Sequence, residues 1–137
     1  MRVFVDTSAL FKKYVQEAGA DELETFLLKV TDIAVSPLTW IEMRSALARR
    51  MRDRILTQGE ARRITTEARK DFHYFRHVRW TEALVEKSCG IADELDLKTL
   101  DSIQLASGVL SLPDCFVTAD LKLFKEAKKL LRSVILV

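Results

Sequence analysis

Short apolar runs rich in β-branched residues alternate along this chain with charged, proline-poor stretches of helical periodicity, and that alternation leaves few folds open. Val3 to Val5 is such a run, and it stops at Asp6-Thr7-Ser8, residue types that open helices. A buried strand turning directly into a helix is the simplest reading. Asp21 to Val30 reads as a helix. Ile33 to Ser36 predicts a second strand, and Pro37 suits the first turn of a helix capped by Ser36, which sets Glu42 on its second turn. From Thr57 to Phe75, Ile64, Ala68 and Phe72 recur every four residues on a charged background, the pattern of an amphipathic helix. Glu82 to Leu95, interrupted by Gly90, predicts another. So does Thr99 to Leu110, capped by Thr99 and striped by Leu100, Ile103 and Ala106. Cys115 to Thr118 is a strand, Leu121 to Leu131 a helix, and Ser133 to Val137 a last strand. Strands separated by helices need crossover connections, so the chain reads as α/β, a mainly parallel sheet with helices on both faces.

No linker, repeat or low-complexity tract divides residues 1–137, and 48% hydrophobic residues suffice for one core, so a single domain is expected. Cys89 and Cys115 belong to no CxxC pair and make no disulfide framework, which favours a reducing compartment and argues against structural zinc. A charge interrupts the N-terminal apolar stretch too early for a signal peptide, and no run approaches the roughly 20 residues of a membrane span. The expected location is therefore cytoplasmic. A formal charge of +2 neither requires nor excludes a nucleic-acid partner.

In a parallel sheet the ligand crevice lies outside the carboxyl ends of the strands. Asp6 and Asp120 each follow a predicted strand within two residues and should reach that same edge, although each could equally be no more than a helix N-cap. Asp101 sits in the first turn of its helix, where a carboxylate also suits the helix dipole. Glu42 shares a helical side with Leu38, Ser45 and Ala46, which reads as more buried than solvated, and Arg49 is the partner within reach. Four converging carboxylates would repel by about 2 kcal/mol per pair at roughly 8 Å and an effective dielectric near 20. Such a cluster needs a cation or retained protons. An all-oxygen donor set suits a hard ion, Mg²⁺ or Mn²⁺, which can activate water beside a phosphodiester. Hydrolysis of a nucleic acid is the chemistry this implies.

These stretches together resemble the PIN-domain family, most closely its VapC-type toxin branch. The resemblance is carried by Val5-Asp6-Thr7-Ser8-Ala9-Leu10, by Glu42 with Ser45-Ala46-Leu47, by Thr99-Leu100-Asp101-Ser102-Ile103-Gln104-Leu105-Ala106, and by Thr118-Ala119-Asp120. It spans essentially the whole chain, with Gln104 standing where many relatives carry His. The resemblance implies an α/β/α sandwich in which Asp6, Glu42, Asp101 and Asp120 bind one or two Mg²⁺ or Mn²⁺ ions and cut RNA. It implies also a cognate antitoxin that blocks the site, and a homodimer. Thr7, Ser8 and Thr118 are then candidates to hold the carboxylates in place by hydrogen bonds.

Between Arg44 and Arg79 fall 11 of the 22 Lys and Arg residues against four of the 20 acids, a composition suited to phosphate. Arg49 and Arg50, on Glu42's own helix, are the candidate RNA contacts. His73 and His77 stand four apart on a predicted helix but lack a third metal ligand, and as the only histidines they leave no Ser-His-Asp triad. Trp40 and Trp80 could stack on bases, though core or interface roles are commoner. Gly19, Gly59, Gly90 and Gly108 form no phosphate-binding loop, and a receiver-type site would need a lysine after a late strand, where Asp120 stands. The remaining alternative is a catalytically silent PIN-like module that binds RNA or protein.

Overall fold

A computed structural model describes all of residues 1–137. Five strands form one wholly parallel sheet in the order β3-β2-β1-β4-β5: β1 (Arg2–Val5), β2 (Asp32–Val35), β3 (Arg76–His77), β4 (Cys115–Thr118) and β5 (Val134–Leu136). Seven helices connect them: α1 (Thr7–Phe11), α2 (Ala20–Leu27), α3 (Thr39–Arg52), α4 (Gln58–Phe72), α5 (Glu82–Glu94), α6 (Thr99–Leu110) and α7 (Leu121–Ala127). None is long and apolar enough to cross a membrane.

The central strands are buried on both sides, so their residues divide by the two-residue alternation of a strand. Val3, Val5, Cys115 and Val117 join Leu10, Leu23, Met43, Leu47 and Ile64 in one core, beneath α1 to α4. Phe4 and Phe116 point the other way, stack at 5.2 Å, and pack with Leu84, Ile91, Leu105 and Leu123 from α5 to α7. This gives the three-layer α/β/α arrangement. Gly108 on α6 lies so close to the Phe116 ring that a Cβ there would sit 2.5 Å from it, so α6 packs on the sheet only because that position has no side chain.

Several local expectations shift. Ser36 does turn the chain, its Oγ accepting from Leu38 N–H at 3.0 Å, but α3 starts only at Thr39 and Glu42 falls in its first turn, not its second. Lys98 rather than Thr99 is the N-cap of α6, without a side-chain cap. The helix read as running to Leu131 stops at Ala127, and α4 ends at Phe72. His73 is therefore the C-cap of α4 and His77 lies in β3, so the two are not one turn apart on a helix. Strand β3 was not foreseen: its two residues are both exposed and polar, and they pair only along the edge of β2.

Candidate active site

Strand order reverses between β1 and β4, and the carboxyl ends of these two neighbours carry Asp6 and Asp120. Asp6 and Asp120 are both helix caps, as their positions allowed. Asp6 is the N-cap of α1, accepting from Ala9 N–H at 3.0 Å, and Asp120 caps α7, accepting from Leu123 N–H at 2.8 Å. Each uses Oδ1 for the cap.

Hydroxyls stitch the two strand ends together. Ser8 Oγ donates to Asp6 at 2.9 Å and accepts from Ala119 N–H at 3.0 Å. Thr118 Oγ1 donates to Asp6 Oδ2 at 3.0 Å and accepts from Asp120 N–H at 3.0 Å. Asp6 is thus fixed on three sides and only 4% exposed. Burial without a cationic partner pushes its carboxyl up to about 7, the three hydrogen bonds notwithstanding, and the charge of Glu42 adds to the rise.

Glu42 is held from two other elements. Thr7 Oγ1 donates to its Oε1 at 3.0 Å, and Gln104 Nε2 donates to that oxygen at 2.5 Å and to Thr7 Oγ1 at 2.9 Å. Arg49, the partner the sequence offered for Glu42, is exposed and forms no ion pair: it lies two turns, about 10 Å, further along α3. Gln104, noted in the sequence only for standing where many relatives carry His, was not assigned this contact with Glu42. The available signal was its position three residues after Asp101, which sets both on one face of α6.

Asp101, half-buried, is the one member of the four whose side chain makes no hydrogen bond. Desolvation raises its pKa first, then the charges of Asp120 and Glu42, against Lys98 and Lys122. Asp6, Glu42, Asp101 and Asp120 are therefore electrostatic neighbours, and none forms a salt bridge with Lys or Arg.

The donor set suits a hard divalent cation: all-oxygen, strongly acidic, lacking a basic partner, and with Gln104 Oε1 buried and unpartnered beside it. No three of the acids close into a preformed metal cage. Arg50 lines an adjoining cleft of about 250 Å³ with Thr7, Ser8 and Ala119, its guanidinium 3.1 Å from Glu17 and stacked on the Phe11 ring.

The sequence profile of the PIN domain matches residues 3–130. The chain belongs to the PIN-domain family. No curated protein matches it closely enough to count as a relative. Among solved structures, a toxin–antitoxin complex from Klebsiella pneumoniae superposes with a TM-score of 0.70 at 20% identity, covering 98% of this chain and 96% of that one. The VapBC2 complex of Rickettsia felis, bound to a DNA fragment from its promoter, gives 0.71 at 12% identity with coverage of 100% and 99%. Mycobacterium tuberculosis VapC20, a toxin that cleaves the sarcin–ricin loop, gives 0.69 at 17% identity over 88% and 92%. At these identities the likeness is one of fold, and this PIN domain has the α/β/α architecture its sequence implied.

Proposed function

We propose that this PIN domain is a Mg²⁺- or Mn²⁺-dependent endoribonuclease of the VapC type, acting in the cytoplasm as the toxin of a toxin–antitoxin pair. The observation that carries this reading is the group Asp6, Glu42, Asp101 and Asp120 at the strand-order reversal, without a salt-bridge partner, the charge of Glu42 adding to the raised pKa of Asp6 and those of Asp120 and Glu42 to that of Asp101. Those four would hold the cation, whose chemistry is to acidify a bound water and neutralise charge on the scissile phosphate.

The chain's own residues divide the remaining work. Ser8 and Thr118 fix Asp6, and Thr7 with Gln104 fixes one oxygen of Glu42, so these carboxylates need no reorganisation when substrate arrives. Asp101, free of side-chain hydrogen bonds and raised in pKa, is the residue suited to orient or deprotonate the attacking water. Arg50, tied to Glu17 yet beside the site, can approach the RNA backbone, and the exposed Arg49 contributes only diffuse positive charge. An antitoxin as partner is supported by the toxin–antitoxin complexes of matching fold, and a homodimer accords with the branch that the sequence resembles.

The test is cleavage of labelled total RNA by antitoxin-free protein with Mg²⁺ or Mn²⁺, with and without EDTA. Cutting that EDTA abolishes is expected. A folded protein that cuts nothing over a broad RNA panel would instead be a silent binding module.

A further inference from the structure

Across α3 from the acidic site lies a second feature on the same sheet edge. His77 pairs with Val35, the last residue of β2, and Trp40 stands in the first turn of α3 just beyond it. Trp40, Arg69, Phe72, His73 and His77 line an open cleft of about 450 Å³, within the range of small-ligand sites. Phe72 packs edge-on against Trp40 at 5.0 Å and props the indole in place. Two guanidiniums gather on that indole, Arg69 at 5.4 Å and Arg44 at 5.9 Å from its centre.

No carboxylate lines the cleft. The nearby acids are engaged elsewhere, Asp71 by Lys13 at 2.6 Å and Tyr14 at 2.8 Å, and Glu67 by Arg63 at 3.1 Å. Neither Arg44 nor Arg69 forms an ion pair, so one aromatic ring holds two exposed cations without an anion. His77 Nε2 lies 2.7 Å from Phe72 O, which can only accept, so that nitrogen carries the hydrogen and Nδ1 remains a free acceptor. The cleft thus combines phosphate-binding guanidiniums, an aromatic surface and a ring nitrogen able to accept from a base amino group.

We propose that this cleft is a nucleotide-binding subsite that grips the RNA strand away from the cut. The inference rests on the ribonuclease reading and extends it. Strands in a sheet are about 4.8 Å apart, so the ends of β2 and β3 lie on the order of 10 Å from those of β1 and β4. One RNA strand laid over the start of α3, where Ile41 is 66% exposed, reaches both.

Trp40 and Trp80 are the two tryptophans, so Trp80→Phe leaves Trp40 as sole reporter. In that variant, carrying Asp101→Asn so that the strand is not consumed, a mixed-sequence single-stranded oligoribonucleotide is titrated in Mg²⁺, following indole emission and strand anisotropy together. Emission should quench along the binding curve. Arg44→Ala with Arg69→Ala, both exposed positions whose folding is checked by circular dichroism, should weaken binding about tenfold and reduce the salt dependence by roughly two phosphate contacts. If RNA is bound without quenching and the double variant binds as well as its parent, the subsite is refuted while the ribonuclease reading stands. Quenching by polyglutamate but not by RNA would assign the cleft to a protein partner and overturn the proposal. No RNA binding by any form would overturn both readings.

Discussion

Asp6→Asn should disable the site and yet stabilise the metal-free fold, by an amount that grows with pH. The folded carboxyl protonates at about 7 against an ordinary value of 3.8, so between those pH values the folded state holds a proton that the unfolded chain releases. Stability therefore falls as pH rises through that window, and above about 7 the whole penalty is present. At about 1.4 kcal/mol per tenfold change in proton affinity, it amounts to about 4 kcal/mol at pH 8 and about 2 kcal/mol at pH 5. Asn avoids it with little other change. Its Oδ1 can still accept from Ala9 N–H, and the Ser8 and Thr118 hydroxyls can rotate to accept from Nδ2, each having a second lone pair. In EDTA, the variant should melt about 10 °C above the parent at pH 8, with the gap roughly halved at pH 5. Mg²⁺ should then raise the melting point of the parent and leave that of the variant unchanged. A gap that stays constant between pH 5 and pH 8 would refute the claim that an unpartnered buried charge resides at Asp6.

Two helical glycines should respond to alanine with opposite signs in urea unfolding. Gly108→Ala should cost about 2 kcal/mol because its Cβ would meet the Phe116 ring, whereas Gly90→Ala, with open space around it, should gain about 0.5–1 kcal/mol from reduced chain entropy. Gln104→Leu removes one of the two donors holding Glu42; RNA cleavage should fall at least about tenfold while the melting point barely moves. Thr57→Ala breaks the Thr57–Glu60 capping box of α4 and should cost about 1 kcal/mol by denaturant unfolding, with cleavage unchanged.

What could be read from the chain followed from how strongly local chemistry constrains it. Cys115–Thr118 and Thr99–Leu110 were legible to the residue, since one is an apolar run closed by a turn and the other a periodic stripe bounded by polar residues. Strand β3 was illegible because two exposed polar residues carry no period, and only the edge of β2 makes Arg76 and His77 a strand. The start of α3 was misjudged by a pair of residues, Pro37 and Leu38 forming a turn first, and helical phase amplifies such an error. Asp6 and Asp120 could be traced to one sheet edge because a parallel topology sends every strand end there. That Gln104, and not Arg49, meets Glu42 depends on α3 and α6, on opposite faces of the sheet, reaching the same carboxyl edge, a tertiary relation with no local signature.

The most direct test of a shared cation site is calorimetric titration of metal-stripped protein with Mn²⁺, run on the parent and on Asp101→Asn. Saturable binding by the parent is expected, weakened at least tenfold in the variant, since Asp101 shares its environment with Asp120 and Glu42. Undiminished binding by Asp101→Asn, or none by the parent, would contradict it.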